Sequence, residues 1–371
     1  MAKKYRVGII GFGHMHVNNV AQRFGDHPQV EWVACADTKP VVPELRDAPY
    51  TRKWNQAMLM EKLGIPKKYD CYHEMLEKEK FDIIVVQCEN AQHPDVVEAA
   101  AKAGANCCVE KPMAMDLSGA LRMVRACQAN GTELIVNWPL TWSPAARKCK
   151  ELIDAGTIGR VLEVKWRSGH TGPLGPGAQH AGVSEAAAPM SGPERGASWW
   201  HQDATGGGAL LDYCCYGAMV TRWFIGEQAT DCMGMAANLD SHWGDAPDNA
   251  AVLVRYPGAM AILEGSWTTW HHGVPTGPIV FGQTGTMVVE GNKVRLERGH
   301  GDQTIFEAEP ICPERDTEAK ELIYHMETGE PVHPTLEMML NLEYMAILDA
   351  GRRSSKSGKM ESVDNVTWRI G

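Results

Sequence analysis

The 371-residue sequence predicts an α/β protein with two domains. In residues 1–135, β-branched runs alternate with helix-compatible segments, which predicts βαβ units and a doubly wound parallel sheet. Beyond Pro144, short strands are separated by tight turns such as Pro257-Gly258. This second pattern predicts an α+β domain over 136–371 with a large, mostly antiparallel open sheet. Two domains also agree with the length, at roughly 150 residues per domain.

The elements of the first domain follow from buried apolar runs and from the breakers between them. The strand at 5–10 ends in glycine, and residues 11–24 begin glycine-rich and then become helix-compatible. Asn130-Gly131 marks the end of a helix that starts at residue 117. The further predicted strands are 30–36, 81–87, 106–110 and 133–137, and the further predicted helices are 94–103 and 117–129.

The second domain is predicted to contain one long segment without regular structure. Ser168–Ser198 is rich in Gly, Pro, Ala and Ser and shows no periodicity. A loop of this length is typical of a lid, an arm to another subunit or local disorder, and we expect it to order over substrate or against a second subunit. The predicted helices are 145–155 and 336–350, and the predicted strands are 160–167, 250–256, 260–267, 279–281, 286–290 and 293–297.

Charge and composition exclude several classes of function. The net charge is 36 − 46 = −10, and no long basic run is present, which argues against nucleic acid or an anionic membrane as partner. No apolar stretch is long enough for a transmembrane helix, and the first residues lack the pattern of a signal peptide. The eleven cysteines include no C-x-x-C pair, so we expect reduced thiols and a cytoplasmic protein.

The strongest local motif is a glycine turn at the end of the first strand. Gly11-Phe12-Gly13 lies where a backbone turn at a helix start can bind a pyrophosphate, although His16 occupies the third glycine position. Asp37 follows the second strand, where a carboxylate accepts hydrogen bonds from an adenosine ribose and repels a 2′-phosphate. We therefore expect NAD rather than NADP. The residues of the turn predicted to bind it are Gly11, Phe12, Gly13, His14 and Met15.

Two further segments carry groups that can do chemistry. Glu110-Lys111-Pro112 ends a buried strand, at the edge of a doubly wound sheet where ligands bind. Asp212 and Tyr216 follow three glycines at a spacing that shares one helix face. Taken alone, a solvated lysine and a helix cap with a packed aromatic are the simpler interpretations of these segments.

Together, the three segments resemble the glucose–fructose oxidoreductase / inositol dehydrogenase / MocA (Gfo/Idh/MocA) family. The resemblance rests on VGIIGFGHMH, ACAD, DIIVVQCENAQHPDVVEAAAKAGANCCVEKPMA, ELIDAGTIGRV and WWHQDATGGGALLDYCCYGAMVTRWFIGE, in that order. It implies an N-terminal Rossmann domain for NAD(P), a C-terminal domain whose open sheet forms subunit interfaces, and oxidation of a sugar or cyclitol hydroxyl.

The resemblance also implies roles for individual residues. Lys111 matches the catalytic lysine of the E-K-P motif, and Asp212 matches the aspartate of D-x-x-x-H. Tyr216 stands in the histidine position, as in the glucose–fructose oxidoreductase and dihydrodiol dehydrogenase branches. The family's T-P-N appears as Cys88-Glu89-Asn90, so only the asparagine is kept. The cofactor contacts implied in this part of the chain are Asn90, His93, Glu110 and Lys111.

The oxidation of an alcohol requires removal of the hydroxyl proton and stabilisation of the oxygen, and these residues can do both. Tyr216 can accept the hydroxyl proton if a nearby cation lowers its pKa from about 10. Lys111 can supply that charge and hold the substrate oxygen, while Asp212 orients the lysine or binds a neighbouring hydroxyl. Indole faces stack on sugar rings, which makes Trp138 and Trp200, together with His201, candidate substrate contacts, although core packing explains most tryptophans equally well.

No metal site is predicted. The close histidine pairs are His14-x-His16, inside the glycine turn, and His271-His272, and no cysteine or acid lies at ligand spacing from either.

The leading interpretation is an NAD-dependent dehydrogenase of a sugar, glycoside or cyclitol, working as a homo-oligomer through its C-terminal sheet. A second interpretation is a glycoside-processing enzyme that keeps NAD bound and oxidises a sugar carbon, often C3, only transiently before elimination or hydrolysis. A third is a non-catalytic NAD-linked regulatory protein, against which the presence of both Lys111 and Asp212 argues.

Overall fold

The computed structural model describes residues 3–40, 45–175, 178–270 and 277–366. Its first half forms a six-stranded parallel sheet with the strand order β3-β2-β1-β4-β5-β6, which is that of a Rossmann fold. The elements are β1 (Tyr5–Ile10), α1 (Val17–Gly25), β2 (Val30–Ala36), α2 (Arg52–Leu63), β3 (Lys68–Tyr69), α3 (Tyr72–Lys78), β4 (Ile83–Val86), α4 (His93–Lys102), β5 (Asn106–Glu110), α5 (Leu117–Asn130) and β6 (Leu134–Asn137).

The second half forms a nine-stranded sheet. Its order is β14-β13-β12-β11-β7-β10-β9-β8-β15, and only β7 and β10 run parallel among its recorded pairs. The elements are α6 (Pro144–Asp154), β7 (Val161–Gly169), α7 (Gly192–Gly196), α8 (Cys215–Ile225), β8 (Asp231–Ala237), β9 (Asn249–Arg255), β10 (Met260–Ser266), β11 (Ile279–Gly282), β12 (Thr286–Glu290), β13 (Lys293–Gly299), β14 (Asp302–Glu307), α9 (Glu318–Thr328), α10 (Met338–Ser357) and β15 (Glu361–Ser362).

Both predicted sheets are therefore confirmed, and a single hydrophobic core runs beneath them. In β9 and β10, side chains alternate between a buried face and an exposed one, as expected for an antiparallel sheet covered on one side. The uncovered face carries large apolar side chains, including Met235 and Leu253. Within the described residues, no helix is both long and apolar enough to cross a membrane.

The described part of the long loop lies against the first domain. Gln22 Nε2 donates to the carbonyl oxygen of Gly182 at 2.7 Å, and the backbone N–H of His180 donates to the Tyr50 hydroxyl at 3.0 Å. Apolar side chains of the loop pack with residues of other segments in a small second cluster. That cluster consists of Met15, Ala48, Tyr50, Leu174, Ala187, Met190, Trp199, Trp200, Ala209 and Trp267.

Because the His180 amide donates to the Tyr50 hydroxyl, we expect its hydrogen exchange to be slow in the free protein. Tyr50→Phe removes the hydroxyl that accepts this amide but keeps the ring, so it should speed exchange locally. The exposed turn at His300 is an internal control whose exchange should be fast in both proteins. Fast exchange at His180 in the unmodified free protein would contradict the closed position of the loop.

Candidate active site

The glycine turn has the geometry of a dinucleotide cradle. Gly11 has φ +92°, and a Cβ atom there would lie 2.5 Å from the backbone nitrogen of Cys88. Only glycine therefore allows the end of β1 to approach the loop after β4 so closely. Helix α1 begins at Val17, shortly after this turn, so the positive end of its dipole lies where a pyrophosphate would bind. These features fit a bound dinucleotide.

Asp37, the carboxylate predicted to bind the adenosine ribose, lies beside the glycine turn and has several hydrogen-bond and ion-pair partners. Its Oδ1 accepts the N–H groups of Phe12 at 3.1 Å and Thr38 at 2.9 Å. It also forms an ion pair with Arg52 of α2, and Arg52 forms a second pair with Glu89. Burial raises the pKa of Asp37 to about 6, although Arg52 acts in the opposite direction. Sequence reasoning missed Arg52, which belongs to no motif, and gave no role to Glu89, which departs from the family's T-P-N.

Within the described residues, several buried polar atoms around the loop after β4 have no hydrogen-bond partner. Asn90 donates through Nδ2 to the carbonyl of Gly206 at 2.8 Å, which leaves its Oδ1 unpartnered. His93 bonds through Nδ1 to the carbonyl of Met113 at 3.1 Å, which leaves its Nε2 unpartnered. Glu89 Oε2 is likewise buried without a partner. Such atoms are costly unless a ligand or water satisfies them, so this loop also fits a bound polar cofactor.

The predicted catalytic lysine and aspartate meet directly. Lys111, just after β5, places Nζ 2.7 Å from Asp212 Oδ1 and 3.2 Å from the Asp212 carbonyl. The other carboxylate oxygen accepts the indole N–H of Trp267 at 2.9 Å. Burial lowers the pKa of Lys111, but the Asp212 and Tyr216 side chains outweigh it and leave that pKa well above the usual value. Lys111 is therefore a fixed positive charge at neutral pH.

Tyr216 lies on the other side of the lysine. Lys111 Nζ is 5.1 Å from the centre of its ring, which stacks on Trp166 at 5.7 Å between centres. Burial raises the pKa of Tyr216 above its usual value, and the opposing Lys111 charge only reduces the increase. The expected net lowering of this pKa is therefore wrong, because removal from water outweighs a cation that lies over the ring face. Tyr216 is a neutral phenol at neutral pH.

The segment carrying these residues is not a plain α-helix. Leu210–Cys214 forms one π-helical turn, and α8 begins only at Cys215. Asp212 and Tyr216 nevertheless both contact Lys111, as the spacing predicted. A wider turn of this kind is frequent at functional sites.

Two residues that sequence reasoning missed extend this group. The ring of Tyr213 lies 6.4 Å from that of Tyr216, and the ring of His170 meets Tyr213 edge-on at 5.3 Å. Burial lowers the pKa of His170, so it is neutral at neutral pH. Tyr213 was detectable as the neighbour of Asp212, whereas His170 follows β7 in a segment that carries no motif.

Comparisons with known proteins agree with this arrangement. One family model, the oxidoreductase family with an NAD-binding Rossmann fold, matches residues 5–138. A second, the Gfo/Idh/MocA C-terminal domain, matches residues 146–288. The chain belongs to the Gfo/Idh/MocA family. The predicted family and its oxidoreductase class are thus confirmed.

Individual relatives of this Gfo/Idh/MocA protein are distant. It is 26% identical to a myo-inositol 2-dehydrogenase of Thermotoga maritima over 321 residues, 82% of this chain and 87% of the relative. It is 26% identical to a D-xylose 1-dehydrogenase [NADP(+)] of Haloarcula marismortui over 51% of this chain and only about half, 49%, of the relative. The aldose–aldose oxidoreductase of Caulobacter crescentus shares the fold, with a TM-score of 0.74, 20% identity and coverage of 97% of this chain and 100% of that one.

The predicted sugar contacts of this Gfo/Idh/MocA chain need correction. Trp138 is fully buried behind Tyr216, with its indole N–H donated to Asn341 Oδ1 at 2.8 Å, so it supports the tyrosine and does not reach substrate. His201 is also buried, against the ring of Trp267, and both its ring nitrogens lack a partner. Trp200 alone of the three lines a cleft cavity, beside the glycine turn.

Trp200 and its neighbour cover the turn. The two indoles of Trp199 and Trp200 stack at 3.8 Å, and Trp199 Nε1 donates to the carbonyl of Gly13 at 2.8 Å. A small cavity lies between these indoles and Arg52. The segment that follows the long loop thus closes over the predicted phosphate position.

The side chains of the turn meet an acid that sequence spacing did not reveal. His16 Nδ1 lies 3.0 Å from Glu110 Oε1, and Asn137 Nδ2 donates to the other carboxylate oxygen at 3.2 Å. Burial raises the pKa of Glu110, but the neighbouring His16, Lys111 and Asn137 outweigh it and hold that pKa below its usual value. The premise that no acid accompanies the first histidine pair is therefore wrong, because folding brings β5 against the turn. The second pair, His271-His272, lies outside the described residues.

Proposed function

We propose that this protein is an NAD-dependent dehydrogenase that oxidises a secondary hydroxyl of a sugar, glycoside or cyclitol. The observation that carries the proposal is the buried Lys111–Asp212 pair beside Tyr216, at the carboxyl edge of the Rossmann sheet. When bound, NAD⁺ supplies the acceptor for the hydride. A purely regulatory role gives no reason to bury a charged pair at this edge.

Each residue has a distinct task in this proposal. Lys111 stays protonated and stabilises the negative charge that develops on the substrate oxygen. Asp212 holds the lysine in place, and the Trp267 indole fixes the carboxylate. In oxidation the phenolate form of Tyr216 accepts the hydroxyl proton, and in carbonyl reduction the neutral phenol returns it to the same oxygen. Glu110, Asn90, His93 and the turn residues Gly11–Met15 are proposed to hold the cofactor.

The substrate class rests on the relatives. Two of them are named as dehydrogenases of inositol and of xylose, both of which carry secondary ring hydroxyls. The test is incubation with NAD⁺ and a panel of sugars, cyclitols and aryl glucosides, following reduced nicotinamide by absorbance and products by mass. We expect oxidation of at least one ring hydroxyl without loss of carbon. No turnover across the panel, with NAD⁺ bound, would favour the regulatory interpretation.

A second candidate function is a glycoside-processing enzyme that retains NAD and oxidises its sugar only transiently. The observation that favours it is the covered cleft, since Trp199 bonds to Gly13 and the long loop bonds to Gln22. A cofactor beneath these contacts leaves only after they open. Purified enzyme carrying bound cofactor, and cleaving aryl glucosides without net NADH release, would support this candidate.

Cofactor choice gives a sharper test. With Asp37 ionised, we expect NAD⁺ to bind about tenfold or more tightly than NADP⁺, equivalent to about 1.4 kcal/mol. Arg52 partly neutralises this acid, so Asp37→Ser should free the guanidinium for a 2′-phosphate and reverse or close the gap. Because the pKa of Asp37 is raised to about 6, its negative charge is lost as the pH falls through 6. The preference for NAD⁺ over NADP⁺ should therefore become smaller below that pH.

Fluorescence titrations of both reduced cofactors at pH 5.5 and 8, values on either side of about 6, measure this selectivity. Arg52→Lys is a matched control, because it keeps a positive charge beside Asp37 and should retain the preference for NAD. Equal affinities in the unmodified protein at the higher pH would remove Asp37 from this role.

Assembly also remains a proposal. The uncovered face of the nine-stranded sheet exposes Leu162, Met233, Met235, Leu253 and Met260. An apolar sheet face of this kind is commonly covered by a partner. This exposed apolar face supports the proposal that the protein forms a homo-oligomer through its C-terminal sheet.

A further inference from the structure

We propose that His14, His16 and Glu110 form a binding site for a divalent transition-metal ion of the Zn²⁺ type. One ring nitrogen from each histidine and one carboxylate oxygen of Glu110 all lie within 4.8 Å of one another. Two imidazoles and one carboxylate are a donor set that Zn²⁺ and its neighbours in the first row accept. The proposal does not depend on the proposed dehydrogenase activity.

The closest pair already has the spacing of two metal ligands. Two atoms bound at about 2.1 Å to one ion, at tetrahedral or octahedral angles, lie about 3.0–3.4 Å apart. His16 Nδ1 and Glu110 Oε1 are 3.0 Å apart, a hydrogen bond with a proton between them. An ion that replaces this proton needs little movement of either side chain.

The third group supplies an independent indication of a ligand. His14 is fully buried, and its Nε2 has no partner among the described residues. Its Nδ1 accepts only a long bond, 3.2 Å, from the backbone N–H of His16. Either ring nitrogen of His14 can therefore serve as a ligand, because Nε2 has no partner to lose and Nδ1 gives up only a weak contact.

The surroundings hold these ligands in place. Asn137 donates to the second oxygen of Glu110, the kind of outer hydrogen bond that orients a metal-binding carboxylate. The edge of the Trp200 ring meets His14 at 4.7 Å, and the ring of His180 from the long loop lies 5.7 Å from His16. The ligands are therefore enclosed by the segments that cover the turn.

Three protein ligands leave a coordination position open, which is the pattern of catalytic rather than structural sites. Glu110 directly precedes Lys111 in the chain, so the proposed ion site and the proposed catalytic lysine lie at the same end of β5. The backbone of the glycine turn is not used by the ion.

The test is calorimetric titration with zinc sulfate, without NAD or sugar. The protein is prepared without a polyhistidine tag, since a tag binds zinc. The changes Cys71→Ser and Cys312→Ser remove the two exposed thiols, which could also bind zinc. We expect about one ion per chain with a dissociation constant near or below about 1 µM. His14→Gln, His16→Gln and Glu110→Gln should each weaken binding about tenfold or more. His300→Gln, which changes an exposed histidine, should leave it unchanged.

A second measurement avoids the risk that a variant misfolds. The unmodified protein loaded with Co²⁺ should develop the visible absorption of a nitrogen- and oxygen-bound ion of low coordination number. Absence of that absorption, absence of zinc binding at about 100 µM, or equal zinc binding in folded variants of the three ligands would overturn the proposal. Because no cofactor is present in either experiment, failure of the dehydrogenase assignment would leave these results intact.

Discussion

Replacing Lys111 with methionine is expected to lower kcat by about 10²–10³-fold, because the substrate oxygen then develops charge without a neighbouring cation. The length of the side chain is nearly kept, so the loss reports on the charge. The side chain of Lys111 is only 3% exposed, so water does not replace it easily. Steady-state kinetics with the best substrate of the panel, at saturating NAD⁺, measure the effect.

The same change leaves Asp212 without its principal partner. A buried carboxylate whose cation is removed destabilises a protein by up to about 3–5 kcal/mol. Here the cost should be smaller, since Trp267 still donates to Asp212 and the carboxylate is 11% exposed. Lys111→Met combined with Asp212→Asn removes both charges and should recover stability without recovering activity. NADH affinity is measured for both variants, so that loss of a cofactor contact of Lys111 is separated from a loss of kcat.

An Lys111→Met enzyme with near-normal kcat would remove the lysine from the reaction. A loss of activity that follows melting temperature alone would assign it a structural role. The double variant separates the two cases, because it restores stability while the charge beside the substrate oxygen stays absent.

The sequence predicted those helices and strands in which the pattern of buried and exposed side chains is simple. Strands β4 and β5 are buried on both faces, so their apolar runs are unambiguous. Helix α9 was missed because its buried face includes Glu318 and Glu321, which pair with Arg23 and Arg315. Strand β14 was missed because most of its side chains are exposed, which leaves no alternation to detect.

The site divides in the same way. Lys111, Asp212 and Tyr216 were predicted because a motif and a spacing carry them, and folding brings the three together. Trp138 was predicted to contact substrate but is buried behind Tyr216. The sequence does not distinguish a tryptophan that lines the cleft from one that packs beneath it. Arg52, which bridges Asp37 and Glu89, arrives from α2 without a motif. A contact between residues of two separate elements leaves no pattern in the sequence around either residue, so it cannot be predicted from one sequence.

The last prediction concerns the proton. Tyr216→Phe removes one oxygen and keeps the ring contacts with Trp166 and Trp138, so the fold and NAD binding should be little changed. We expect kcat for oxidation to fall about a hundredfold or more, the usual effect of removing a general base. Because Tyr216 and Lys111 act on one oxygen, the double variant should be little worse than the poorer single one.

The pH dependence decides whether Tyr216 or Lys111 takes the proton. The pKa of Tyr216 is raised by burial, so its phenolate becomes more abundant with rising pH and does not saturate at the ordinary tyrosine value. Oxidation should therefore accelerate continuously through the alkaline range, whereas carbonyl reduction, which uses the neutral phenol, should stay level there. Lys111 also has a raised pKa, so as the base it would give a similar slope in the unmodified enzyme. Tyr216→Phe separates them, because the slope disappears if the phenol is the base and persists, with near-normal kcat, if the amine is.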